Sequence, residues 1–231
     1  MDLRSAARTV LFPARALWAI RNRFGLIKFA VGTSPHLDNL ALAKWREAIS
    51  KSRIYLEYGS GGSTIEAAKS VDQVVSVETD GRFLAAVERA IAETPAASAE
   101  LRPMHINIGL TEMWGRPLAG LRTASRLARW RRYPSAPWEY FERTGLRPDF
   151  IFVDGRFRVA SILESILRLP PGSDCQIMLD DFDRRKDRYG AVLEFADQLE
   201  FAGRAIIFRK KRDFDREKCV RLLHRFQADP E

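Results

Sequence analysis

The sequence predicts an α/β fold, a mostly parallel sheet with helices on both faces, and three observations carry that expectation. Short β-rich runs alternate with helical spacing from Arg53 to Phe226. The first such run ends in a glycine turn that leads straight into a helix. A chain of 231 residues with 46% hydrophobic content buries one sizeable core with additions, not two.

Residues 36–50 have helical spacing, with Leu37, Leu40, Trp45 and Ile49 among the apolar positions. A strand is expected at 53–57 (RIYLE), then Gly59, Gly61 and Gly62, then a helix over 63–70 opened by Ser63 and Thr64. A second strand, 73–78 (QVVSVE), passes through the turn at Thr79, Asp80 and Gly81 into a helix over 82–93, and a third apolar stretch lies near 104–108. A fourth strand is expected at 149–154 (DFIFVD), a helix at 159–169, a fifth strand at 176–180 (QIMLD), a helix at 189–199, a strand at 204–209 and a final helix at 215–226. An N-terminal helical extension, basic and apolar, spans 1–35, and the main domain spans 36–231. Within it, 111–147 reads as the longest irregular piece, a basic insertion placed to act as a lid over a substrate.

Cys175 and Cys219 stand far apart without a CxxC pair, so no disulfide framework or zinc ribbon is indicated and a reducing, cytoplasmic setting is expected. His36, His105 and His224 are dispersed without metal-ligand spacing and are assigned no catalytic role. No Gly-x-Ser-x-Gly elbow is present. In the N-terminal segment Arg15, Arg21, Arg23 and Lys28 interrupt the apolar runs, which excludes a spanning helix. No small-residue cleavage site follows an unbroken apolar stretch, so a secretory signal is not expected either. Packing on the domain or dimerisation is the favoured reading of this segment, with peripheral contact to an anionic membrane the alternative. The net charge of +8 is concentrated in 122–132, 204–216 and the N-terminal segment. A solvated face is the plainest reading of the 122–132 run, and an anionic or sugar acceptor is the next. Nucleic acid is disfavoured, since no RNA-binding motif accompanies the arginines.

The chemistry is concentrated in EYGSGGST, residues 57–64. Glycines after a strand let the backbone turn sharply and approach a ligand closely, and the following helix presents N–H groups to an anion. Glu78 ends the next strand about twenty residues after Glu57, the spacing at which an acid accepts hydrogen bonds from ribose hydroxyls. Together these point to a ligand with an adenosine moiety. The dinucleotide spacing GxGxxG is absent because Thr64 takes the third glycine's place, and no Gly-Lys-Ser/Thr follows as in a phosphate-binding P-loop.

The acid-x-Gly-x-Gly order of Glu57, Gly59 and Gly61, with Glu78, Asp154 in VDGRFR and LDDF after the fifth strand, resembles the class I S-adenosylmethionine-dependent methyltransferases. In detail it is similar to a bacterial group of methyltransferase-like proteins. The resemblance covers about 56–208 and implies a Rossmann-like, seven-strand-type sheet. It further implies that Glu57, Gly59, Ser60 and Gly61 form the cofactor bend, Ser63 holds the methionine carboxylate, Glu78 the ribose, and Ile108 lies against adenine.

Asp154, Asp180 and Asp181 fall at the carboxyl ends of neighbouring strands, where open α/β sheets bind ligands. The arrangement resembles metal-dependent catechol-type O-methyltransferases, which implies a divalent ion such as Mg²⁺ on these three carboxylates and catalytic roles for Asp154 and Asp181. Arg156, Arg158, Arg184 and Arg185 stand near in sequence as rival partners for the same acids. Three functions are carried forward: methyl transfer to an oxygen of a small-molecule or glycan acceptor; a non-catalytic S-adenosylmethionine- or nucleotide-binding module; and a dinucleotide-binding Rossmann enzyme.

Overall fold

The computed structural model describes residues 3–118 and 122–231, with side chains from Pro13 onward. Seven strands form one sheet: β1 (Ile54–Tyr58), β2 (Gln73–Glu78), β3 (Glu100–His105), β4 (Phe150–Val153), β5 (Gln176–Leu179), β6 (Ala196–Ala202) and β7 (Ala205–Lys210). Their spatial order is β3-β2-β1-β4-β5-β7-β6, and all neighbours are parallel except those of β7, which runs antiparallel to both β5 and β6. This is the α/β, Rossmann-like, seven-stranded architecture that the sequence predicts. The order reverses between β1 and β4, so ligand-binding loops gather at the carboxyl ends of those two strands.

The central strands are buried throughout, β2 on every residue, because helices cover both faces of a parallel sheet. On one face lie α2 (Asn39–Ser50), α3 (Gly62–Ala67) and α4 (Gly81–Ala92), with Trp45, Ile65 and Val87 packed against Tyr55, Val74 and Phe152. On the other lie α5 (Ala124–Thr144), α6 (Arg158–Arg168) and α8 (Arg216–Phe226). The four-residue α7 (Lys186–Tyr189) precedes a 3-10 turn. The helix α1 (Leu3–Arg23) packs on the domain through Arg15, paired with Glu112, and Asn22, bonded to Asp80. Its outer side and the segment after it leave Leu17, Ile20, Phe24 and Leu26 exposed. Among the described residues, no helix is long and apolar enough to cross a membrane.

Three stretches depart from the sequence expectation. Residues 189–199 were expected as a helix, but Ala196–Ala202 is edge strand β6, half of a hairpin with β7. Its interior residues are exposed, so no alternation of apolar positions advertises a strand. Residues 111–147, expected to be irregular, are mostly α5, capped by the Thr123 side chain and ended by Gly145 in the left-handed conformation. One face of α5 buries Trp130, Tyr133, Trp138 and Phe141, while Arg122, Arg129, Arg131 and Arg132 stay in solvent. Residues 119–121 of this insertion lie outside the described set. The third strand also begins earlier than 104–108, at Glu100.

Candidate functional site

The bend after β1 is fixed by backbone contact. Gly59 has φ +104, and a Cβ there would come within 2.6 Å of the Gly155 backbone, while one on Gly155 would meet the Tyr133 hydroxyl at 2.4 Å. Only glycine at both positions lets the loops after β1 and β4 touch. Glu57 sits beneath the bend with no exposed surface. Its carboxylate accepts from the hydroxyls of Tyr55 (3.0 Å), Ser63 (2.8 Å), Ser76 (2.8 Å) and Thr64, and the Thr64 hydroxyl also accepts from the Gly61 amide. Burial pushes the Glu57 carboxyl up to about 7, although the four hydroxyl donors pull it back. The resemblance implies cofactor binding for Glu57 and Ser63; in the structure Glu57 is fully buried and the Ser63 hydroxyl is bonded to it.

Glu78 stands at the bend itself. It accepts from the amides of Ser60 (3.2 Å), Thr79 (2.6 Å) and Asp80 (2.9 Å) and from the Thr79 hydroxyl (2.9 Å). Burial raises its pKa, and the three amides oppose that rise. Gly115, at φ +64 in the short ribbon of Thr111–Glu112 and Arg116–Pro117, lies directly on this carboxylate, and its carbonyl accepts from the Thr79 hydroxyl at 2.8 Å. Beyond Glu78 is a cavity of about 300 Å³ whose lining includes Asp80, Gly81, His105, Asn107 and Gly109, with Asn22 of α1 closing one side. Ile108, expected against adenine, does not reach it. The side chain is fully buried in the core, and its carbonyl accepts from the Trp130 indole at 3.0 Å, so its neighbours Asn107 and Gly109 face the cavity instead.

At the other side of the switch point, carboxylate oxygens of Asp154, Asp180 and Asp181 lie within 4.8 Å of one another, the convergence the sequence anticipates. Arginines already fill the space between them. Arg158, with a side chain 4% exposed, donates to Asp154 Oδ1 (2.7 Å), Asp181 Oδ2 (3.3 Å) and the carbonyls of Asp154, Gly155 and Asp180. Arg204, in the β6–β7 turn, grips both oxygens of Asp180 at 2.8 Å. Arg184 and Arg185 contact none of the three acids, and Arg185 bonds Tyr189. A divalent ion would have to displace guanidinium groups held by backbone carbonyls, so this donor set does not fit a resident metal. Burial and the neighbouring Asp180 and Asp181 push Asp154 up to about 6 against the pull of Arg158. A third of its side chain reaches solvent, which tempers that rise. Asp181 holds a left-handed backbone, φ 58, a strained setting that recurs at functional sites.

Sequence reasoning named Arg158 as a rival partner but missed Arg204, Ser76 and Tyr133. Arg204 is brought in by a hairpin turn distant in sequence, and nothing local marks it. The Ser76 hydroxyl was legible in principle as a polar residue in an otherwise apolar central strand.

A seven-stranded sheet with one antiparallel strand, a glycine bend after β1 and an acid ending β2 define a methyltransferase-type domain. Neither a protein-family profile nor a curated protein matches the chain. Among solved structures, a methyltransferase-like protein from Silicibacter pomeroyi is similar at 30% identity and TM-score 0.71, covering 86% of this chain and 100% of that one. An O-methyltransferase from Bacillus cereus, solved with S-adenosylhomocysteine, is similar at 15% identity and TM-score 0.47, over 89% of this chain and 96% of that one. A third, the Streptomyces achromogenes O-methyltransferase of tomaymycin synthesis, solved with S-adenosylmethionine, stands at 15% identity and TM-score 0.48, over 84% of this chain and 87% of that one. The chain belongs to the class I S-adenosylmethionine-dependent methyltransferase family, on the strength of the first of these similarities.

Proposed function

We propose that this protein binds S-adenosylmethionine along the loops after β1, β2 and β3 and transfers its methyl group to an oxygen of a small-molecule or glycan acceptor. The observation that carries this reading is the Ser60 amide bonded to Glu78, which joins the glycine bend and the ribose-type acid into one continuous edge. The methionine end would pass over Gly59, Ser60 and Gly61, the ribose would meet Glu78, and the base would enter the cavity beside Asn107 and Gly109. Because Gly115 lies on Glu78, the lid role of the insertion falls to its first part, 113–117, which has to lift for a ribose to reach the carboxylate. The extension at 1–35 closes the adenine end through Asn22.

When bound, S-adenosylmethionine supplies an electrophilic methyl on a sulfonium. The protein's part is to hold the acceptor oxygen in line and to remove its proton. Asp154, at the carboxyl end of β4 and raised to about 6, is ionised at neutral pH yet basic enough to take that proton. Asp181 holds Arg158 and through it orients Asp154, a positioning role in place of the catalytic one the resemblance implies.

Calorimetry with S-adenosylmethionine, S-adenosylhomocysteine and NAD tests the reading. Binding of the two sulfur nucleosides without NAD is the expected result, and NAD binding alone would replace it with a dinucleotide enzyme. Methyl uptake from labelled cofactor across an acceptor panel then separates an enzyme from a binding module.

A further inference from the structure

Beside Asp154 stands an arginine for which the proposed chemistry has no use. Arg156 is 9% exposed, its Nε is buried without a hydrogen-bond partner, and no ion pair holds it among the described residues. Its pKa is lowered by burial and then by two like charges, Arg158 and Arg116. A guanidinium still keeps its proton at neutral pH under such pressure, and the one acid whose charge reaches it, Asp154, is bonded to Arg158 instead, so no carboxylate bonds Arg156 directly. Burying an uncompensated charge is costly, and such a position persists where an anion completes it.

The chain itself places an acid on the second of these arginines, Arg116. Glu231 lies 3.8 Å from Arg116 and 3.2 Å from Arg188, and Asp229 takes both Arg188 contacts at 2.9 Å. Between them the Pro230 carbonyl accepts from the amide of Phe157, next to Arg156, at 3.3 Å. The segment 229–231 thus lies across the arginines as an acidic strap. Two exposed apolar side chains, Met113 and Trp114, flank Arg116 on the lid.

We infer that Arg156 and Arg116 form an oxyanion subsite that takes a carboxylate or phosphate of the methyl acceptor, and that Glu231 occupies it as an internal stand-in until the acceptor arrives. The placement follows from the chain: a single residue, Gly155, separates Arg156 from Asp154, so an anion on Arg156 sets the acceptor's hydroxyl beside the base. Acceptors would be hydroxy acids or phosphorylated alcohols, with an aromatic or sugar body against Trp114. In the basic run at 122–132, by contrast, Arg122, Arg129, Arg131 and Arg132 face solvent, and Arg126 is taken by the Leu118 carbonyl and the Trp130 ring.

The acceptor role rests on the methyltransfer reading above, and the test keeps the two apart. Inorganic phosphate is titrated into the full chain by calorimetry, with S-adenosylmethionine titrated in parallel. Phosphate binding should weaken at least about tenfold in Arg156→Gln, as loss of a charged hydrogen-bonding partner predicts, and persist in Arg156→Lys. Because Arg156→Gln can disturb folding, Glu231→Gln serves as a surface variant that removes the stand-in and Asp229→Asn as one that frees its strap from Arg188, and each should tighten phosphate binding several-fold. Phosphate affinity unchanged in Arg156→Gln, or unaltered by both acidic-strap variants, overturns the subsite. Failure of S-adenosylmethionine to bind, with the phosphate pattern intact, removes the methyltransfer reading and leaves an anion site of another purpose.

Discussion

The two acid-bearing edges of the switch point solve the same problem in opposite ways. At the edge proposed for the cofactor, Glu57 and Glu78 are held by neutral donors, four hydroxyls for one and three amides with a hydroxyl for the other. At the edge proposed for the reaction, Asp154, Asp180 and Asp181 are held by guanidinium charges from α6 and the β6–β7 turn. Neutral donors fix geometry without fixing charge, which leaves Glu57 free to remain protonated near neutrality. The Arg158 guanidinium pulls Asp154 back toward the ionised form a base requires, against the burial that raises it. The difference teaches that one edge is built for shape and the other for charge.

Substitutions should separate the edges in order of effect. Asp154→Asn is expected to lower turnover by roughly 10²–10⁴-fold while leaving S-adenosylmethionine affinity unchanged, since it removes the base alone. The parent rate should rise with pH through about 6, where the Asp154 carboxyl ionises, and that inflection should vanish in the variant. Arg158→Met leaves Asp154 without its cation and Asp181 with Arg204 alone, and is expected to cost about 3–5 kcal/mol in a urea unfolding titration. Glu78→Gln keeps the size but gives up the charge, and calorimetry should report cofactor affinity lower by roughly ten- to a hundredfold.

Glu57→Gln sharpens the comparison through pH. The folded-state value of about 7 lies above the ordinary 4.5, so the folded protein holds this proton more tightly than the unfolded chain. That contribution is complete below the ordinary value and is lost as pH rises through about 7, on the order of 3 kcal/mol in all. Melting temperatures followed from pH 5 to pH 8, both about the limits of this window, should fall in the parent and stay flatter in the variant. The smallest effect is expected from a chelator. Turnover should be unchanged by it, because arginines supply the cationic charge at the three aspartates, and a chelator-sensitive rate restored by Mg²⁺ would break the contrast.

What the sequence made legible follows the same division. The cofactor edge could be read because its pieces are close in the chain: a strand, a glycine bend, and an acid ending the next strand. Asp154, Asp180 and Asp181 were also visible, since each closes a strand of strong apolar character. Their partners were less so. Arg204 arrives from a hairpin whose first strand, ADQLEFA, is too polar to look like one, and a helix was expected there. Ile108 illustrates a smaller limit: the loop after β3 was identified, but which of three consecutive residues faces inward depends on Trp130 in α5, and no local pattern encodes that. Pro134 and Pro137 within α5 likewise disguise a helix that tertiary packing of its aromatic face sustains.

The direct meeting of Gly59 and Gly155 also constrains how this enzyme family member can diversify. With two main chains in van der Waals register at the centre, neither turn can lengthen, shorten or gain a methyl group without displacing the other. Variation in what is methylated is therefore expected at the periphery, in the ribbon around Trp114 and the strap at Asp229, where sequence can drift without disturbing the shared hinge of the two edges.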